Sequence, residues 1–343
     1  MSILISGATG FIGRHLCARL TANQQPVLAL MRDAGQLPAL REKIDALGGQ
    51  GSLVQALAGD LDRPRHLLSL ALPEITAIVH LGARFGWQLD KEQARATNVS
   101  GSLAVAELAR RLGCRLVFVS GFMLENHAHL SKLGIDLAQP DKTAWDRVYD
   151  RAGAYEASKL ESAFRVRAMV TQGLDLVEVQ PATVAGHSRS GELDTAQPLY
   201  QLIDNLARGR LAMVPGSPDH WLPLVAVDHL AALLAHAALL PQVPARLLAL
   251  DPGTPRLQPL LAQVAEVLDR RPPKRYLPIP ALALLLRIPG LSRLMNTYPE
   301  ALNFIQTTRF DTEVADGFGE QEGLAHPDMN RVIRASAGFY KNQ

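Results

Sequence analysis

The stretch "SGATGFIG", residues 6 to 13, limits what this chain can fold into more than any other feature: it follows the apolar run "ILIS" and opens a helical pattern. Gly7, Gly10 and Gly13 stand at three-residue steps. Glycine is required where a turn is tight, and where backbone N–H groups must approach a pyrophosphate at the positive end of a helix. A glycine cluster alone is a common flexible turn. Between a first strand and a first helix it predicts a dinucleotide-binding unit, with Phe11, Ile12 and Arg14 in the helical turn beside the phosphates.

The first half of the chain repeats this strand–helix alternation. Apolar runs rich in Val, Ile and Leu at 3–6, 26–31, 53–57, 77–81, 115–120 and 175–180 predict strands, and periodic patterns near 11–22, 99–112 and 154–172 predict helices. Short right-handed crossovers then give an α/β fold, a doubly wound parallel Rossmann sheet. After Gln180 prolines and loops become frequent, and strand and helix signals return at 224–250. The expected division is a dinucleotide-binding domain of 1–180 and 224–251, and a smaller, discontinuous C-terminal substrate lobe of 181–223 and 252–343.

Several classes of partner fit poorly. Lys plus Arg (35) nearly balance Asp plus Glu (33) without a long like-charge run, so nucleic acid is not expected and a small molecule is. Cys17 and Cys114 lack metal-ligand spacing, and "HAH" at 127–129 reads as loop histidines, so no metal is expected. The chain begins "MSILISGATG", which leaves no room for a charged leader and points to the cytoplasm. "YLPIPALALLLRIPGLSRL", 276 to 294, is too broken by proline and arginine to span a bilayer. It reads as a buried or interface helix, with membrane-surface contact the lesser option.

"YEASK", 155 to 159, places Tyr155 and Lys159 four residues apart, one helical turn from each other. On spacing alone this is an amphipathic helix with a half-buried tyrosine. The order of the glycine motif, "AGDLD" (58–62), "VHLGA" (79–83), "ATNVSGS" (96–102), "YEASK", "QPATVAG" (180–186) and "VAVDHLA" (225–231) changes that reading. Together these motifs resemble the extended short-chain dehydrogenase/reductase family, also described as NAD-dependent epimerase/dehydratase-like, over nearly the whole chain.

The resemblance implies that Asp60 and Leu61 flank the adenine, that Leu81, Gly82 and Ala83 wall the cofactor, and that Asn98 braces the sheet near the active site. Pro181, Ala182 and Val184 would hold the nicotinamide carboxamide. Tyr155 would be the acid/base and Lys159 would lower its pKa and bind the nicotinamide ribose. A homodimer is expected by the same analogy. The family's hydroxyl partner, the second residue of a Ser-Ser or Ser-Thr pair, falls on Gly121, so three options stay open: Ser120 reaches in its place, a residue of 123–150 substitutes, or the chemistry has drifted.

The second strand ends "ALMRD", with Met31 where NAD users carry an acid. Arg32, joined by Arg14, can clamp a 2′-phosphate, so NADP(H) is expected over NAD(H), against the option that Asp33 serves the ribose. Phe85, Trp87, Phe122, Met123, His187 and Trp221 occur at loops expected to face substrate and imply a bulky apolar carbonyl or alcohol. Leu222 stands where nucleotide-sugar members carry arginine. The first expectation is therefore an NADP-preferring oxidoreductase; the alternatives are a nucleotide-sugar epimerase/dehydratase, and a dinucleotide-binding protein that has lost catalysis and serves in redox sensing or assembly.

Overall fold

The computed structural model describes all residues from Met1 to Gln343. They form two units, the first of Met1–Gln180, Leu230–Leu248 and Glu313–Leu324, the second of Pro181–His229, Ala249–Thr312 and Ala325–Gln343. The first is built on a seven-stranded parallel sheet: β1 (Ser2–Ser6), β2 (Val27–Met31), β3 (Val54–Ala58), β4 (Ile75–His80), β5 (Arg115–Val119), β6 (Leu176–Pro181) and β7 (Arg246–Ala249), in the order β7-β6-β5-β4-β1-β2-β3. The central strands are apolar on both faces because helices cover both: Ile3, Leu4 and Ile5, Ile78 and Val79, and Leu116 and Val117 are all buried. The order reverses between β1 and β4, and in such a sheet the ligand crevice opens beyond the carboxyl ends at that point.

The flanking helices are α1 (Phe11–Ala22), α2 (Leu37–Ala46), α3 (Ser102–Leu112) and α4 (Ala154–Ala168). Helix α2 escaped the sequence reading because it buries only Leu40 and Ile44, too few apolar residues for a clear period. The pattern near 99–112 becomes a π-helical turn, Arg95–Gly101, followed by α3. Val105 and Ala109 on α3 and Ala157, Leu160 and Ala163 on α4 enclose Ile78, Leu116 and Phe118 of β4 and β5 in one apolar cluster.

In the second unit Thr183–Ala185 pairs parallel with Leu224–Ala226, and Val214–Pro215 with Tyr276–Leu277. Helices Leu257–Val267 and Met329–Lys341 pack on one another. Trp221 is wholly enclosed here: its indole N–H donates to Thr308 O at 3.0 Å and Arg309 lies 3.8 Å over its ring.

One polar chain crosses the heart of the sheet. His80 at the end of β4 sits 2.5 Å from Ser6 Oγ of β1 and 2.8 Å from Ser102 Oγ of α3. Burial, with a smaller push from the Lys159 cation, lowers its pKa from 6.5 to about 3, so the native imidazole is neutral. The unfolded chain therefore binds more protons between those values: this contribution is intact above pH 6.5 and is lost as pH falls toward 3. Urea unfolding should find about 2 kcal/mol less stability at pH 5 than at pH 7 from this residue alone. His80→Gln should flatten the profile by that amount; an unchanged slope would refute the assignment.

Candidate active site at the carboxyl edge of the sheet

The turn after β1 is the part of the site with least steric freedom. Gly7 has φ +76°, and a Cβ there would lie 2.8 Å from Gly82 N; one on Gly13 would lie 2.1 Å from Gly7 O. Neither contact is sterically tolerable, so the two glycines let the turn press on the backbone after β4 and on its own helix. The result is a groove of about 360 Å³ lined by Gly7, Gly10, Arg32, Asp60, Leu61, Gly82 and Ala83, with Leu81 beside them.

Phe11 is buried at the start of α1 and Ile12 half-buried beside it, while the Arg14 guanidinium lies 5.1 Å over the Phe11 ring. Met31 is buried at the end of β2. Asp33, exposed, caps the short helical turn that follows, its carboxylate accepting from Gly35 N at 2.9 Å and from Gln36 Nε2 at 3.4 Å. That leaves Arg32 as the cation on this rim of the groove.

On the opposite wall stands Arg84, which the sequence reading did not single out although it directly follows "VHLGA". It donates to Asp62 at 2.7 Å and to Thr97 Oγ1 at 2.8 Å, and the Thr97 hydroxyl donates to Asp62 in turn. Burial opposes ionisation of Asp62, but the Thr97 and Arg84 hydrogen bonds, with smaller pulls from the Arg84 and Arg32 charges, hold its carboxyl below the usual range. Asn98, in the π-helical turn, then ties this wall to α4. Its Oδ1 accepts from Arg84 N at 2.7 Å, while Nδ2 donates to Arg84 O at 3.1 Å and to Ser158 Oγ at 2.9 Å. Ser158 donates to Tyr155 O at 2.9 Å, so the backbone of the tyrosine is anchored through one buried amide.

Tyr155 and Lys159 are each half-buried one turn apart on α4. The Phe85 ring meets Tyr155 edge-on at 4.7 Å, and Trp87 meets Phe85 at 5.5 Å, which gives the phenol an aromatic flank. Lys159 Nζ donates to Val119 O at 2.6 Å, at the end of β5. In the next residue Ser120 Oγ is buried with no hydrogen-bond partner. Gly121 follows in extended backbone, φ 178°, with open space where a side chain would stand.

Tyr155 is pushed up to about 12, by burial first and by the Glu156 carboxylate second. The sequence reading expected Lys159 to pull the phenol down; burial and Glu156 push it up, and Lys159 is not among the causes of the shift. Burial also brings Lys159 down to about 8, with Glu178 opposing. Glu156 is itself held by His129 Nε2 at 2.6 Å, so one histidine of "HAH" braces the residue beside the tyrosine.

Phe122 and Met123 are buried in the turn after β5. Pro181, Ala182, Val184, His187 and Trp221 belong to the second unit. There Ala182 and Val184 are buried, Thr183 Oγ1 is buried without a partner, His187 Nδ1 accepts from Arg189 N at 3.1 Å, and Trp221 has no exposed surface. Ser6, His80, Thr97 and Ser158 were missed, although all four lie inside the quoted motifs. Their roles are contacts across the fold, which no local pattern encodes. Because neither backbone nor space at position 121 demands glycine, Gly121→Ser should leave unfolding stability within about 0.5 kcal/mol of the parent. A loss of several times that in urea titration would show the space to be needed.

A family model described as Male sterility protein matches residues 5–234. The chain is 26% identical over 281 residues to the L-2-aminoadipate reductase large subunit of Penicillium chrysogenum, covering 75% of this chain and 20% of that one. It is 30% identical over 242 residues to sterol demethylase protein B of Methylococcus capsulatus, covering 67% and 66%. It spans 20% of the aminoadipate reductase subunit and 5% of a hybrid synthetase of Chaetomium globosum, so it covers only part of the length of these relatives. Among solved structures, the terminal R domain of the myxalamid biosynthetic pathway superposes with a TM-score of 0.75 at 22% identity, covering 99% of this chain and 90% of that one. That likeness concerns the fold.

Proposed function

The chain belongs to the Male sterility protein family of extended short-chain dehydrogenases/reductases, an NAD(P)-dependent oxidoreductase type, and from this we propose that it reduces an apolar ketone or aldehyde with NADP(H) as the preferred cofactor. The observation that carries the reading is the end of β5. Lys159 fixes the Val119 carbonyl, and the next residue offers a buried hydroxyl, Ser120 Oγ, that nothing in the protein satisfies. A buried hydroxyl without a partner is costly unless a ligand completes it.

The residues present fit a nicotinamide dinucleotide. The Gly7 turn is a cradle that any Cβ would fill, and Asp60 and Leu61 line the groove. When bound in reduced form the cofactor supplies a hydride for the carbonyl carbon. The chain does the rest. Tyr155, protonated throughout the neutral range, gives its proton to the carbonyl oxygen. Ser120 Oγ donates a hydrogen bond to that oxygen, and the Lys159 cation favours the tyrosinate that remains. A phenol that starts protonated suits reduction rather than oxidation as the working direction. Phe85 and Trp87 beside Tyr155, and the name of the sterol demethylase relative, favour an apolar substrate over a sugar.

Arg32 carries the cofactor preference. With Asp33 accepting from Gly35 N and Gln36 Nε2, Arg32 is the guanidinium offered to a 2′-phosphate on this rim. Titrations of tryptophan fluorescence should find Arg32→Ala about tenfold weaker for NADPH and little changed for NADH. A parent that binds NADH more tightly would refute the preference. Against a panel of apolar ketones and aldehydes, Tyr155→Phe should bind NADPH normally yet lose about 10²–10⁴-fold in turnover. Retention of turnover would exclude the mechanism.

A further inference from the structure

The run from Arg270 to Leu294, "RRPPKRYLPIPALALLLRIPGLSRL", takes no part in the site described above. It holds two short helices of the second unit, Ile279–Leu285 and Leu291–Leu294. Their inner side is ordinary core: Leu282 and Leu286 are buried with Leu302. Their outer side is also apolar, with Leu284 67%, Leu285 40%, Ile288 52% and Leu294 71% exposed. A helix apolar on both sides belongs where both sides are covered.

The charge around these helices is equally one-sided. From Arg270 to Pro299 there are six cations, Arg270, Arg271, Lys274, Arg275, Arg287 and Arg293, and no Asp or Glu, in a chain whose net charge is only +2. All six are exposed. Leu211 lines both the hollow edged by Arg270–Arg275 and the small apolar cavity that Leu282 and Met295 help close, so cationic rim and apolar helix adjoin.

We propose that this face docks on a membrane surface bearing anionic lipid. The exposed Leu and Ile side chains enter the boundary between headgroups and acyl chains, and the six cations lie among anionic headgroups. A second copy fits less well, since a twofold pairing of this face would set cation against cation. The attachment is in the interface plane, because no helix is long and apolar enough to cross a membrane. It is independent of the reaction proposed above, and it gives an enzyme for apolar molecules a place where such molecules concentrate.

Flotation with vesicles tests this on the whole chain. The protein should float with phosphatidylcholine vesicles containing about 30 mol% phosphatidylglycerol, at least about tenfold more than with phosphatidylcholine alone, and detach as salt rises. Leu284→Gln with Ile288→Gln and Leu294→Gln should lower that partition about tenfold without moving the thermal midpoint, since those side chains are exposed. Arg270→Glu with Arg271→Glu and Lys274→Glu should abolish the lipid preference. No flotation with the anionic vesicles would overturn the proposal. So would undiminished flotation of the triple Gln variant, which would reduce the effect to surface charge, or a dimer of the parent that this variant dissolves, which would assign the face to a second copy.

Discussion

The contact that the site depends on is backbone against backbone: the turn after β1 pressed onto the start of the segment after β4. Gly7 stands where a single Cβ would meet Gly82 N at 2.8 Å, and Gly13 where one would meet Gly7 O at 2.1 Å. These contacts draw α1 down onto the sheet, so its N-terminal turn faces the groove. They also bring Ser6 and His80 into register across β1 and β4, where the buried hydroxyl–imidazole–hydroxyl chain joins two strands to α3. Substitution of either glycine therefore disturbs more than a loop.

Burial sets the charge state of the groups nearest the proposed chemistry. It keeps His80 neutral, keeps the proton on Tyr155 and brings Lys159 close to its own titration range. One cause acts on three groups, in each case against the charged form.

The space at Gly121 connects the site to its departure from the family pattern. Extended backbone and an unfilled position mean that the missing hydroxyl is not excluded by the fold; the chain simply lacks the side chain there. Ser120, one residue earlier, is buried with its Oγ unsatisfied, which a substrate oxygen would remedy. The same reasoning from uncovered groups applies on the second unit, where Leu284, Leu285, Ile288 and Leu294 are exposed.

The sequence by itself determined the α/β class, six of the seven sheet strands nearly to the residue, the glycine turn and the tyrosine–lysine helix. Each is encoded by local means: a period, a run of branched apolar residues, or a glycine no other residue can replace. It left α2 invisible because only two of its residues are buried, and it could not see Arg84, Thr97, Ser158 or the His129–Glu156 pair, whose roles are contacts between residues 13 to 60 positions apart. Only the tertiary structure decided the direction of the Tyr155 shift and the partner of Lys159. Both depend on how completely water is excluded, and that is a property of the assembled core.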